Sequence, residues 1–479
     1  MTTPTLQSFL EESLPSALGQ GEDLARLASE VTGLFQILVA SDQMGEASIR
    51  RAQTGINPAL PQGGQAQMAF VLYWIENEPE RLKKFLKQMP EVQKLWVVVE
   101  SIVKIVYPSR ISKEQYAWAL AQPDGIIAPD GSVLGRGTYE DFDDGWLWSF
   151  FNYLINILHP QRIAPFTPAG GGAPFSQPLQ LCNGEARIVL IGDWGTGAYN
   201  AGGYDPATNV LETAMKLRPD YLIHLGDVYY AGTQDAPPPG EEHRNFLSMW
   251  PPMPPQRSFT LNSNHEMYGG ANGYFNVSLG RGSATPTPFV HQKGYSYFAL
   301  SCGDLAIVGL DAAYFDPSSM YMDGGLGPMD KDPQYAFLQE VAANHRQLIL
   351  LTHQTALSMD GGKLLPLWSD VSGAIDATKI ALWYWGHIHA GIAYDTSSAI
   401  GKFGVRAACC GHGAIPMGDP WGLQRHSTGV AWYAHTPVGG QAPANRVRNG
   451  FAMLTVSSDG VEEAFYNAGD LKPVWTRSH

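Results

Sequence analysis

From Glu22 onward, apolar residues recur at three- and four-residue steps, with Leu24, Leu27, Ala28, Val31, Phe35 and Leu38 on one helical face. That spacing predicts an amphipathic helix with one buried side. Further helices are predicted near residues 65–88, 91–107, 112–121 and 145–158, separated by Pro90, Pro108 and the Pro123-Asp124-Gly125 turn. Residues 1–162 thus read as an all-α region. From Ala164 to Pro178, glycine and proline are too dense for a helix or a central strand, so residues 163–184 are expected to be a linker. After it, short apolar runs alternate with helical segments: Ala186–Ile191, a helix near 207–217, Tyr221–Leu225, Arg257–Leu261 and Leu348–Leu351. The alternation predicts an α/β domain over residues 185–479.

Length agrees with this division, because 479 residues exceed one core at roughly 150 residues per domain. A hydrophobic fraction of 44% with 16% charged residues is that of a globular chain. The formal charge of -14 argues against a broad nucleic-acid surface, so an anionic small substrate has to be attracted locally. The four cysteines, Cys182, Cys302, Cys409 and Cys410, imply no disulfide framework, since bridging neighbours Cys409 and Cys410 is strained. Reduced thiols and the absence of a secretory signal in the first residues lead to an expected cytoplasmic location. No transmembrane segment is expected: Val92–Tyr107 contains Lys94, Glu100 and Lys104, and Trp146–Leu158 falls short of the ~20 residues a spanning helix needs. Both read as buried helices, the second also fitting a membrane surface.

The candidate chemistry sits where the predicted strands end. Gly192-Asp193-Trp194-Gly195 closes the first, and Gly226-Asp227-Val228-Tyr229-Tyr230 closes the second. Asn264-His265-Glu266, His353 and Gly386-His387-Ile388-His389 follow later apolar runs. Strand ends are where α/β folds place ligands. Each motif alone fits an ordinary turn or a satisfied core polar group, but five in one domain supply a mixed oxygen and imidazole set suited to transition metals. His224 reads as structural, whereas His412, Arg244 and Arg406 are weaker candidates for the site.

These five motifs resemble the calcineurin-like metallophosphoesterases and, among them, the purple acid phosphatase branch. The resemblance covers roughly residues 186–412 and implies a four-layer α/β/β/α sandwich hydrolysing phosphate esters with a dinuclear metal centre. The superfamily usually carries a histidine two residues after its first aspartate, where this chain has Gly195; the purple branch instead uses a tyrosine three residues after the second aspartate, where Tyr230 stands. By resemblance, a ferric site takes Asp193, Tyr230 and His389. A divalent iron, zinc or manganese takes Asn264, His353 and His387, and Asp227 bridges the two ions. His265 is left to bind the phosphoryl group or protonate the leaving alkoxide. Ser263 departs from the glycine that usually precedes Asn-His. A phosphodiesterase or phosphotriesterase with manganese or zinc is the first alternative, and a scaffold protein with a vestigial site is the second.

Overall fold

The computed structural model describes residues 126–478 except 129, 142, 144, 236–237, 283–285, 428 and 440–445, together with five single positions between 73 and 87. The helices expected near 22–38, 91–107 and 112–121 lie outside the described residues, as does most of that at 65–88. The helix expected at 145–158 is present as α1 (Trp146–Leu158). Upstream of it, β1 (Ile126–Ile127) and β2 (Val133–Leu134) pair as a small antiparallel hairpin.

Two sheets follow, their strands numbered along the chain as β3 (Phe175–Pro178), β4 (Glu185–Ile191), β5 (Tyr221–His224), β6 (Ser258–Thr260), β7 (Phe298–Cys302), β8 (Leu305–Gly309), β9 (Gln347–Thr352) and β10 (Ile380–Trp385), then β11 (Gly391–Tyr394), β12 (Arg406–Cys410), β13 (Val430–Tyr433), β14 (Gly450–Ser457), β15 (Gly460–Asn467) and β16 (Trp475–Ser478). The larger sheet runs β13-β11-β12-β10-β9-β8-β7-β3, and the smaller runs β16-β15-β14-β4-β5-β6. Strands β4, β5 and β6 are parallel, as are β8, β9, β10 and β12. Parallel neighbours point their carboxyl ends the same way, so the loops after them gather at one edge of each sheet.

Alternation along the strands decides which side chains fill which layer. Ile188, Leu190, Ile349, Leu351, Leu382 and Leu454 meet in a core shared by both sheets, whereas Val189, Ile191, Leu348 and Leu350 belong to the other face. Helices cover those outer faces: α2 (Pro206–Lys216), capped by Asp205, buries Val210 and Ala214, and α4 (Pro333–Asn344), capped by Asp332, buries Leu338 and Val341. Between them in sequence, the single turn α3 (Asn264–Tyr268) follows β6 directly. The result is the helix/sheet/sheet/helix layering expected from the sequence.

Two features differ from the sequence reading: the β1–β2 hairpin lies inside residues 1–162, read as all-α, and a strand lies inside residues 163–184, read as a linker. Part of the Gly/Pro-rich stretch is β3, an edge strand parallel to β7, which tolerates Pro178 because only one side of it pairs. Helix α1 is apolar almost all round, and Leu147, Phe150, Phe151, Tyr153 and Leu154 are buried in the cluster that also contains Val189 and Val228. Trp148, Ile155 and Ile157 are partly buried against the same cluster. Among the described residues no helix is long and apolar enough to cross a membrane. Cys409 and Cys410 point into opposite cores, and all four cysteines are free.

Candidate metal centre

All five motifs fall just past strand ends: Asp193 after β4, Asp227 after β5, Asn264 and His265 after β6, His353 after β9, and His387 and His389 after β10. The two sheets bring these ends together. Asp193, Asp227 and His387 take left-handed backbone angles, with φ of +56°, +78° and +66°. Such a conformation costs roughly 1–3 kcal/mol at a residue with a side chain and is retained chiefly at functional sites.

One half of the centre is built by His353, Asn264 and Asp227. The Nδ1 of His353 lies 2.8 Å from the Leu225 carbonyl, so the proton of the neutral ring sits on Nδ1 and Nε2 carries a lone pair. That Nε2 faces Asn264 Oδ1 at 2.9 Å and Asp227 Oδ1 at 3.1 Å. Asn264 presents its oxygen there because its amide nitrogen donates to the Tyr268 hydroxyl at 2.9 Å. Three atoms able to donate electron pairs thus converge in a buried place. A cation resolves that arrangement, which is the fit expected of a metal site.

The other half gathers Asp193, Asp227 and His389, whose ligand atoms lie within 4.8 Å of one another. His389 Nε2 is 3.5 Å from Asp193 Oδ1, and the His387 amide donates to Asp193 Oδ2 at 2.8 Å. The His387 and His353 rings are 5.2 Å apart. Both aspartates are buried, whereas the His389 side chain is 33% exposed and marks the open side.

Tyr230 is not brought to this cluster. Its hydroxyl donates to Asp143 and its ring stacks on Tyr139 at 4.7 Å, with Trp146 edge-on at 5.1 Å. The phenol among these candidate ligands is that of Tyr229, which donates to Asp227 Oδ2 at 2.8 Å and lies 3.1 Å from His389 Nε2 and 3.3 Å from Asp193 Oδ1. The physical reason is competition for Tyr230: the segment before α1 takes up its ring and hydroxyl. Glu241 accepts its amide proton at 2.9 Å. Position 195 is equally constrained. A Cβ there would come within 2.6 Å of the Asp227 carbonyl oxygen and 2.7 Å of the Val228 Cα, so no histidine fits that turn.

Burial raises the Asp193 carboxyl well above its usual range, and the charge of Asp227 adds to the shift. Burial acts in the same sense on Asp227, but the imidazoles of His353 and His265 outweigh it and hold that carboxylate well below its usual range. Burial brings His387 down to about 3 and His389 down to about 4, leaving neutral rings able to donate a lone pair. His265 is lowered too, with burial outweighing the Asp227 charge. Its Nδ1 is 2.6 Å from the Tyr230 carbonyl, which leaves Nε2 facing Asp227 Oδ2 at 4.0 Å.

Residues 186–391 match the calcineurin-like phosphoesterase family. The phosphoesterase match runs through every motif from Asp193 to His389, and the family resemblance read from those motifs holds over this span. Among solved structures, the chain is similar to GAP50, the anchor in the inner membrane complex of Plasmodium, at 13% identity and a TM-score of 0.40, over 61% of this chain and 88% of that one. It is also similar to the purple acid phosphatase PPD1 from yellow lupin seeds at 15% identity and a TM-score of 0.36, over 61% of this chain and 53% of that one. PhoD is similar at 12% identity and a TM-score of 0.38, over 65% and 69% of the two chains. No curated protein sequence matches the chain.

The other residues singled out in the sequence lie around or outside this cluster. The Ser263 hydroxyl lies between the carboxylates of Asp227 and Glu266 and accepts the His265 amide proton at 3.0 Å, so the serine replacing the usual glycine fastens the loop. His224 packs against Phe246 at 4.4 Å, the structural role expected of it. His412 is buried against Phe465, Gly391 and Gly450, outside the ligand cluster. Arg406 donates to the Ser478 carbonyl and Arg244 to that of Pro239.

Proposed function

We propose that this chain hydrolyses phosphate esters with two metal ions, in the manner of a purple acid phosphatase acting on small phosphomonoesters. The observation that carries the reading is the pair of converging donor sets that share Asp227. Asp193, Tyr229 and His389 would hold one ion, a ferric one, because phenolate is a hard donor. Asn264, His353 and His387 would hold a divalent iron, zinc or manganese, with Asp227 common to both. When bound, two such cations neutralise phosphoryl charge and lower the pKa of water. The chain itself fixes donor geometry through Leu225, Tyr268 and Ser263, and it keeps the carboxylates out of bulk water. His265 directs Nε2 toward the same space; in its protonated form, with Nδ1–H on the Tyr230 carbonyl and Nε2–H toward the substrate, it would act as the positioned acid, which contributes about 10²–10⁴-fold to departure of an alkoxide.

Tyrosine replacement tests the ferric assignment. Purified protein is expected to show a visible phenolate-to-iron band that Tyr229→Phe abolishes and Tyr230→Phe keeps. A colourless, iron-free and fully active enzyme would remove iron from the proposal, leaving manganese or zinc. Comparing aryl phosphate mono-, di- and triesters on one sample decides the ester class.

A further inference from the structure

The family match begins at residue 186, yet the general-acid candidate is held by residues that precede it. Ser149, buried in the second turn of α1, donates its hydroxyl to the Tyr230 carbonyl at 2.7 Å. That same oxygen is the partner of His265 Nδ1 at 2.6 Å, so its two lone pairs are both engaged. Tyr230 is fixed at its other polar atoms as well, its amide by Glu241 and its hydroxyl by Asp143. Close approach of the two segments depends on Gly145, where a Cβ would fall 2.1 Å from the Tyr230 ring. Trp146, at 5.7 Å from the His265 ring, and Tyr268, at 4.8 Å, limit how far that ring can tilt.

We propose that Ser149 is a positioning residue: through the Tyr230 carbonyl it holds the His265 imidazole with Nε2 turned toward the leaving group. The inference rests on the phosphoesterase reading given above and assigns a catalytic task to the segment outside the family match. The mechanism is geometric. Without the Ser149 hydroxyl the carbonyl keeps only the imidazole as its partner, while the Ala231 amide of the same peptide stays on Glu241 at 2.9 Å; the peptide then tilts about that anchor, and the imidazole that follows the carbonyl loses alignment with the departing oxygen. Misplacing a catalytic group by about 1 Å costs up to roughly 10²-fold.

The test compares p-nitrophenyl phosphate, whose leaving group needs no proton, with glycerol phosphate, whose alkoxide does, using metal-loaded full-length enzyme. His265→Ala serves as the reference and is expected to lose about 10²-fold in kcat on glycerol phosphate and much less on the aryl ester. Ser149→Ala is expected to lose about 10-fold on glycerol phosphate and less than about twofold on the aryl ester, with metal content unchanged. Ser149→Thr, which keeps a hydroxyl, is expected to restore most of the loss. Should Ser149→Ala be insoluble, the nearly isosteric Ser149→Cys, a weaker donor, is expected to show the same split. Equal losses on both esters, or no loss where His265→Ala shows the split, overturn the role of Ser149. A His265→Ala enzyme with no split overturns instead the acid assignment beneath it.

Discussion

Asp227→Asn is expected to lower hydrolysis by about 10³-fold or more and to leave purified protein with less than half its metal, because the shared carboxylate faces both donor sets. Its Oδ1 is 3.1 Å from His353 Nε2 and its Oδ2 is 2.8 Å from the Tyr229 hydroxyl. An amide of the same shape keeps one oxygen but turns a nitrogen toward one of the two sites, and it removes the only charge that belongs to both. A metal centre provides several kcal/mol of transition-state stabilisation, and each 1.36 kcal/mol is tenfold in rate. Metal analysis and kcat on one preparation check this together. A variant that keeps both its metals and its rate would defeat the two-ion reading, and one that loses both while retaining a biological role would favour the scaffold alternative.

The second large effect concerns the chain before the linker. Deletion of residues 1–162 is expected to give insoluble or inactive protein rather than an unregulated enzyme. Five buried side chains of α1, namely Leu147, Phe150, Phe151, Tyr153 and Leu154, leave the core with it. At ~1.5–3 kcal/mol each, their burial contributes on the order of 10 kcal/mol, close to the whole stability of an ordinary domain. Polar ties go as well: Tyr139 donates to the Thr196 carbonyl at 2.8 Å, Asn156 to that of Tyr268 at 2.7 Å, and Arg446 loses its partner Glu140. Expression of residues 163–479 followed by thermal melting and an activity assay checks this. A folded, active fragment would show that the preceding segment is dispensable for chemistry.

Strand ends were legible in the sequence because their signal is local. An apolar run such as Ala186–Ile191 announces a buried strand, and the Gly-Asp after it announces a turn with a carboxylate. The choice between Tyr229 and Tyr230 was not legible. Strand alternation stops with β5 at His224, and φ of +100° at Gly226 and +78° at Asp227 take the backbone out of the extended region, so counting positions no longer tells which of two adjacent phenols turns inward. The outcome depends on Tyr139, Asp143 and Trp146, which lie about 90 residues earlier and carry no motif. Edge strand β3 escaped for a related reason: a stretch rich in glycine and proline is excluded only from positions paired on both sides. Periodicity marked α1 correctly as a buried helix but is silent on which neighbours a buried face meets, and so on its contact with α3, where Asn264 and His265 sit.

The loops after β4, β5 and β6 belong to one sheet and those after β9 and β10 to the other, with the aspartates and the asparagine on the first and the histidine ligands on the second. Ions bound as proposed would therefore act as rivets across a seam. With the centre filled, neither sheet could slide over the other without stretching bonds to metal, so occupancy of the centre and the mutual register of the two sheets would become one thermodynamic variable.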